Sequence, residues 1–345
     1  MGDDVKGAVG IMDRRVFVGA MGALASGAAL GLAGCGRGAS GEKVIAFSQC
    51  NNAEPYRAAQ KARMEKLVSA MPGVRLVVAD AAQDNSRQIA QIETFIRQKP
   101  SVLIVAPNER AALTGVMGNA MAAGIPTICL ERDILQPNYS CYVRIDNREI
   151  GGMAGEFIVE LLRKKNGGAG GAGGEVRGNV VMLRGLLGVE AEINRDGGAR
   201  EVFAQHPGIR VVADPVADWI QATAKDRMTE VLRAQPAIDV VYGHNDPMAI
   251  GASLAARELG RFGEMAFVGV DGLGGPAGGI RKVMDGVLAA TFVYPLGVDE
   301  AVKVAAGFVG DPHFVCPKEI NLQSTLVTPA NAAKLYAELN AGGAA

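Results

Sequence analysis

Short clusters of amides, carboxylates and guanidinium groups recur along the chain. The first half carries Ser48-Gln49-Cys50-Asn51-Asn52, Asp80-Ala81-Ala82-Gln83-Asp84, Pro107-Asn108-Glu109, Glu131-Arg132-Asp133 and Asp146-Asn147. The second half carries Glu190 to Arg195, Asp218-Trp219, His244-Asn245-Asp246 and Asp271-Gly272. Carboxylates accept hydrogen bonds, arginine donates in a fixed fork, and asparagine or glutamine does both, so the set suits a ligand rich in hydroxyl groups. Trp219, the one tryptophan of the chain, can cover the apolar C–H face of a sugar ring. This is the chemistry of recognition rather than of reaction. The three His and five Cys have no CxxC, HExxH or HxH spacing, so no metal site is expected. The first strand is followed by SQCNNAEP instead of the glycine fingerprint of a dinucleotide site, and the glycine-rich run Gly274 to Gly279 lacks the Lys-Ser/Thr ending of a phosphate loop. No nucleophile–base constellation stands out. The expectation is therefore neither an enzyme nor a cofactor protein.

The clusters gain meaning from the elements that must position them. Apolar segments at 43–48, 74–79, 101–106, 127–130 and 141–145 read as strands, separated by helical patterns at 57–71, 88–98 and 111–123. The second half repeats the rhythm, with strands at 179–183, 210–214, 240–243 and 266–270 and helices at 151–165, 199–205, 222–234 and 248–259. Near-continuous apolar strands between helices imply parallel sheets covered on both faces, here an α/β chain of two doubly wound lobes. Ligands of such sheets sit beyond the carboxyl ends of the strands, which is where the polar clusters fall. The low-complexity run at 166–174 reads as a surface loop.

Composition agrees with a binding role. The chain has 345 residues, 49% of them hydrophobic, with 35 basic against 36 acidic side chains. That length suits about two domains, and the near-zero net charge argues against a nucleic-acid partner. Arg14-Arg15 precede an uncharged Ala/Gly/Leu/Val stretch ending in Leu32-Ala33-Gly34-Cys35. A basic start, an apolar middle and small residues before the cut describe a secretory signal. The Arg-Arg-Val-Phe order resembles a twin-arginine signal, and Leu-Ala-Gly-Cys resembles a bacterial lipobox. Residues 1–34 are expected to be removed, Cys35 lipidated, and residues 35–42 to act as a tether. The competing reading of the stretch is an uncleaved membrane anchor. Spacing leaves open whether Cys50, Cys129, Cys141 and Cys316 pair or stay as thiols.

In order, the motifs Asp80 to Ile89 (DAAQDNSRQI), Gly124-Ile125-Pro126, His244 to Gly251 (HNDPMAIG) and Val268 to Gly272 (VGVDG) resemble the type I periplasmic sugar-binding proteins, the ribose-binding-like group. Tyr56-Arg57, the early Phe-Ser-Gln and Ser324-Thr325-Leu326 are most similar to its galactofuranose-binding branch. The resemblance runs from about Lys43 to Leu339. It implies two lobes joined by three hinge crossings, 43–146 with 295–320 and 147–294 with 321–340. It also implies a sugar held between them, delivery to an ABC transporter permease, and a monomer on the periplasmic face of a bacterial membrane, tethered only by its lipid. A sensor that presents its ligated form to a kinase or chemoreceptor is the alternative. The related repressors need an N-terminal helix-turn-helix, and the export signal occupies that place. The resemblance implies ligand contacts from Asn52, Tyr56, Arg57, Gln83, Glu131, Arg132, Arg195, Trp219, Asn245 and Asp271. Glu131 stands where relatives carry Asp, and Ile193 where ribose binders carry Arg, which argues against ribose; the branch resemblance implies a hexose or similar polyol, with the furanose form among the expected ligands. Val293-Tyr294 replace a polar hinge residue of the relatives.

Overall fold

The computed structural model describes residues 41–166, 175–311 and 313–341. The expected export signal with Arg14-Arg15, the expected lipobox at Cys35, most of the expected tether and the glycine run at 167–174 lie outside the described residues. The first lobe is built from β1 (Lys43–Gln49), α1 (Pro55–Ser69), β2 (Val74–Asp80), α2 (Asn85–Gln98), β3 (Val102–Ala106), α3 (Arg110–Ala122), β4 (Thr127–Glu131) and β5 (Cys141–Ile145). The chain then enters the second lobe through α4 (Asn147–Asn166), β6 (Arg177–Leu183), α5 (Glu190–Phe203), β7 (Gly208–Ala213), α6 (Gln221–Ala234), β8 (Val240–Gly243) and α7 (Asp246–Glu258). β9 (Ala266–Val268), α8 (Gly279–Met284) and β10 (Thr291–Val293) complete that run. α9 (Val298–Gly310) and β11 (Glu319–Leu322) return to the first lobe, and β12 (Thr325–Val327) and α10 (Ala332–Ala341) end in the second.

The first sheet has the order β11-β5-β4-β3-β1-β2, with every pairing parallel. The second has the order β7-β6-β8-β9, also parallel. Parallel bridges from Val268 to Ala290 and from Asp271 to Val293 extend it toward β10, which pairs antiparallel with β12. Each sheet is covered on both faces. The first buries Phe47, Ile104 and Val143 against α1 and α9, and Leu103, Val105 and Cys129 against α2 and α3. The second buries Val180, Met182 and Tyr242 against α4 and α5, and Val181, Val241 and Phe267 against α6 and α7. β3 and β4 are buried at every position, as strands between two helical layers must be. β11 pairs with β5 through Leu322 opposite Ile145, so first-lobe pairing runs two residues past the expected boundary at 320.

Three crossings join the lobes, at Ile145–Asn147, Val293–Gly297 and Leu322–Thr325, and side chains tie them together. The Tyr56 hydroxyl donates to the Pro295 carbonyl at 2.8 Å, and Gln60 Nε2 donates to the Leu296 carbonyl at 2.9 Å. Asn147 Nδ2 reaches the Tyr294 hydroxyl at 3.1 Å, and the Ser324 hydroxyl donates to the Val293 carbonyl at 2.8 Å.

α4 and α5 lie in unusually close contact because glycines face one another. A Cβ on Gly198 would stand 2.3 Å from the Arg148 carbonyl oxygen, and one on Gly151 would stand 2.4 Å from that of Arg195. Those are backbone atoms that cannot step aside. Gly198→Ala is therefore expected to cost about 1–3 kcal/mol by overpacking, read as a lower midpoint in denaturant; an unchanged midpoint would mean that the helices separate freely.

Candidate functional site

The polar clusters converge between the lobes. Glu131 ends β4 in a left-handed conformation, φ +68°, and is 2% exposed. Its carboxylate meets Arg57 Nη2 at 2.6 Å and accepts from the Tyr294 hydroxyl at 2.9 Å. Arg132 Nε lies 3.8 Å away. Burial alone would raise the Glu131 pKa; the Arg57 and Arg132 guanidiniums override it and hold the carboxyl below its usual range. Arg57 is itself kept in place from behind: its Nη1 donates to Gln60 Oε1 at 2.9 Å, and Gln49 Nε2 holds its carbonyl at 2.9 Å. Arg132 Nη1 donates to the Asn108 carbonyl at 3.0 Å.

The second lobe answers with Arg195, Trp219, Asn245 and Asp271. Arg195 Nε donates to Asn147 Oδ1 at 2.9 Å, Nη1 donates to the His244 carbonyl, and the guanidinium lies 4.4 Å from the Tyr294 ring centre. Trp219 is 3% exposed and sits between Arg132 and Arg195, whose guanidiniums lie 6.0 and 5.8 Å from its ring centre. Its placement is built in. Asp218 and Trp219 both adopt positive φ, and the indole lies over Gly185, where a Cβ would stand 2.1 Å from the ring. Asn245 caps α7 by accepting from the Met248 N–H at 3.0 Å and donates to the Trp219 carbonyl at 3.1 Å, so it serves helix and pocket at once. Asp246 accepts from the Gly272 N–H at 2.8 Å and from the Thr291 hydroxyl at 2.6 Å, which fixes the turn carrying Asp271. Burial holds the Asp271 carboxyl well above its usual pKa, and the nearby Asp246 pushes it further.

Tyr56, Arg57, Glu131, Arg132, Arg195, Trp219, Asn245 and Asp271 line one small central cavity of about 20 Å³, room for about one water. Asn52 and Gln83 instead line an adjoining cavity of about 430 Å³, which Glu54 and Trp219 share with the first. The second volume is in the ordinary range for small-ligand sites. Three polar donors at the centre have no hydrogen-bond partner: Arg57 Nε, Arg132 Nε and Trp219 Nε1. Formal charge is balanced there, with Glu54, Glu131 and Asp271 against Arg57, Arg132 and Arg195.

Sequence reasoning missed Glu54 and left Tyr294 unassigned. Glu54 accepts from Asn51 Nδ2 at 2.6 Å and from Gln83 Nε2 at 3.3 Å; its only sequence signal is the Asn three residues earlier. Ile193 is 43% exposed and lines neither cavity, so it gives no geometric reason to exclude ribose. Glu190 to Arg195 form the first turns of α5 rather than a loop. Among the described residues no His/Cys/Asp/Glu group is arranged to hold a metal, and no helix is long and apolar enough to cross a membrane.

Residues 45–303 match the model of the periplasmic binding protein domain. The chain is 29% identical over 258 residues to the xylitol-binding protein of Mycolicibacterium smegmatis, covering 74% of this chain and 68% of that protein. The fructose-binding periplasmic domain of a hybrid two-component system superposes with a TM-score of 0.80 at 31% identity, covering 87% of this chain and 95% of the other. An ABC transporter solute-binding protein from Bacillus halodurans with bound myo-inositol gives 0.78 at 27% identity, covering 87% and 99%.

A buried carboxyl beside the site, Glu190 of α5, sets a pH dependence. Burial pushes the Glu190 carboxyl up to about 7 despite hydrogen bonds from Asn194 and Asn147. A carboxyl whose folded pKa exceeds its unfolded value holds its proton more tightly when folded, so its contribution to stability falls as pH rises through about 4.5 to 7 and levels off above. Glu190→Gln is expected to flatten that decline by on the order of 3 kcal/mol in melting curves taken across this range. A profile indifferent to the substitution would refute it.

Proposed function

Because the chain belongs to the periplasmic binding protein family, we propose that its interlobe cleft captures an uncharged polyhydroxyl compound, a sugar or cyclic polyol, and delivers it to an ABC transporter permease. The observation that carries this reading is the meeting of Arg57, Glu131 and Arg132 from one lobe with Arg195, Trp219, Asn245 and Asp271 from the other around one point. The three buried arginines are matched in number by the carboxyl groups of Glu54, Glu131 and Asp271, so the site carries its own counter-groups and favours a neutral ligand. Vicinal hydroxyls can accept from the unpartnered Arg57 and Arg132 N–H groups and donate to Asp271. The indole of Trp219 offers a flat apolar wall to the C–H face of a ring.

Ligand specificity rests on Glu131 and Tyr294 together. Glu131 presents a longer arm than the Asp expected from the resemblance, and Tyr294 already occupies one of its oxygens. The contacts from both lobes can be made at once only when the lobes are closed, so differential contact drives closure. The central cavity is too small for a ring in the described conformation, and the adjoining cavity toward Asn52 and Gln83 is the path of entry. The resemblance of the leader to a twin-arginine lipoprotein signal supports export and attachment through Cys35, with the folded part acting as a monomer. The similarity to a sensor's periplasmic domain supports a second reading, in which the closed form is presented to a signalling partner; it uses the same pocket.

Calorimetric and thermal-shift titration against aldoses, furanose-forming sugars and cyclitols tests the proposal. At least one neutral polyol is expected to raise the melting temperature by several degrees at saturation. Arg132→Ala is expected to weaken its binding by about tenfold to a hundredfold, the worth of a charge-assisted hydrogen bond. If no polyol shifts melting at millimolar concentration, or a charged metabolite alone does, the reading fails.

A further inference from the structure

We propose that Cys141 and Cys316 are a disulfide-forming pair, closed when the exported protein meets an oxidising compartment; the cellular part of this rests on the export reading above. The described cysteines are Cys50, Cys129, Cys141 and Cys316, all present as thiols. The fold sorts them into distinct environments. Cys129 and Cys141 lie on neighbouring strands, but the residue opposite Cys141 on β4 is Ile128. Successive side chains of a strand point to opposite faces, so Cys129 joins the core under α2 and α3, and Cys141 joins the core under α1 and α9. Cys50 follows β1 at the carboxyl edge of the sheet, whereas Cys141 opens β5 at the amino edge.

Cys316 packs against the same core as Cys141 and lies near enough to perturb its thiol. Cys316 Sγ also lies 3.6 Å from the carbonyl oxygen of Ser140, the neighbour of Cys141. The backbone on either side is clamped: Tyr142 N–H donates to the Lys318 carbonyl at 2.9 Å, and Lys318 Nζ donates to the Pro137 carbonyl at 3.1 Å. The segment carrying Cys316 is thus already held beside the start of β5.

The two thiols differ in access. Cys141 is fully buried, and burial, with Cys316 beside it, pushes its thiol up to about 12. Cys316 is partly exposed and is the first to react. Its thiolate attacks one sulfur of a small-molecule or protein disulfide, breaking that bond and releasing one thiol. Cys141 then gives up its proton and attacks the Cys316 sulfur, releasing the second thiol. Two protein thiols and one oxidant disulfide become one protein disulfide and two oxidant thiols, with two electrons transferred. The bond would pin the segment before β11 to β5, and so the strand that leads into the third crossing.

The test uses the full chain equilibrated with oxidised and reduced glutathione at an oxidising poise, denatured with iodoacetamide, digested and mapped by mass spectrometry. Expected are linked peptides containing Cys141 and Cys316, with Cys50 and Cys129 alkylated. Reduction is expected to lower the melting temperature of this protein by about 5–10 °C. Cys316→Ser should abolish that response to reductant, and Cys129→Ser should retain it. Alkylation of Cys141 equal to that of Cys50 in the oxidising buffer, or linkage of Cys141 to Cys129, would overturn the pairing. The same map on protein recovered from cells separates the two claims: linkage in buffer with thiols in the cell speaks against export and for the pair.

Discussion

A carboxylate removed from water must be compensated where it stands, and the Glu131 side chain sets that demand at the centre of this molecule. Its 2% exposure leaves no solvent to stabilise the charge, so Arg57 does so at 2.6 Å and Tyr294 adds a hydrogen bond at 2.9 Å. Breaking a buried pair by deleting one partner typically costs about 3–5 kcal/mol. Each partner is fixed in turn. Gln49 and Gln60 hold Arg57 from β1 and α1, and Tyr294 is held by Asn147. The order of the first lobe's inner edge follows from this single buried charge.

The same interaction couples the lobes. Tyr294 lies on the second crossing, Asn147 on the first, and Glu131 at the carboxyl end of the central strand β4. The Tyr294 hydroxyl accepts from Asn147 and donates to Glu131, while Asn147 accepts from Arg195 of α5. A continuous polar path therefore runs from Arg57 through the hinge to Arg195. Tyr56 and Gln60 extend it to the backbone of the second crossing. Rearrangement of hydroxyl groups at Glu131 or Arg195 is felt at the hinge without any long-range device, because the hinge residue is itself part of the pocket wall.

Much of this was legible in the sequence, for a definite reason. Strands such as Val102–Ala106 are buried on both faces, so they read as unbroken apolar runs, and the residues that follow them fall at the pocket by topology alone. Eight of the ten expected contact residues line the central cavity. The reading was poorest where burial is polar. Glu190, Glu192 and Arg195 are buried on α5, which erases the apolar stripe that would reveal a helix start. Past Val270 no elements were assigned, although α9 buries Val298, Ala301, Val302 and Phe308 on one face. Tyr294 could not be assigned from spacing, since its partner Glu131 lies 163 residues away. Gly185 matters only because Trp219 rests on it, and no local pattern encodes that contact.

The central claim is that a neutral polyol binds against Trp219 between the two arginines. Trp219 is the one tryptophan of the chain, so its emission reports this site without labels. Titration with the panel of neutral sugars and cyclitols should give a saturable change in Trp219 emission for a polyol that stabilises the protein, with the midpoint of the change equal to the calorimetric dissociation constant. A polyol that binds by calorimetry yet leaves Trp219 emission unaltered at saturation would place the ligand elsewhere and contradict the account.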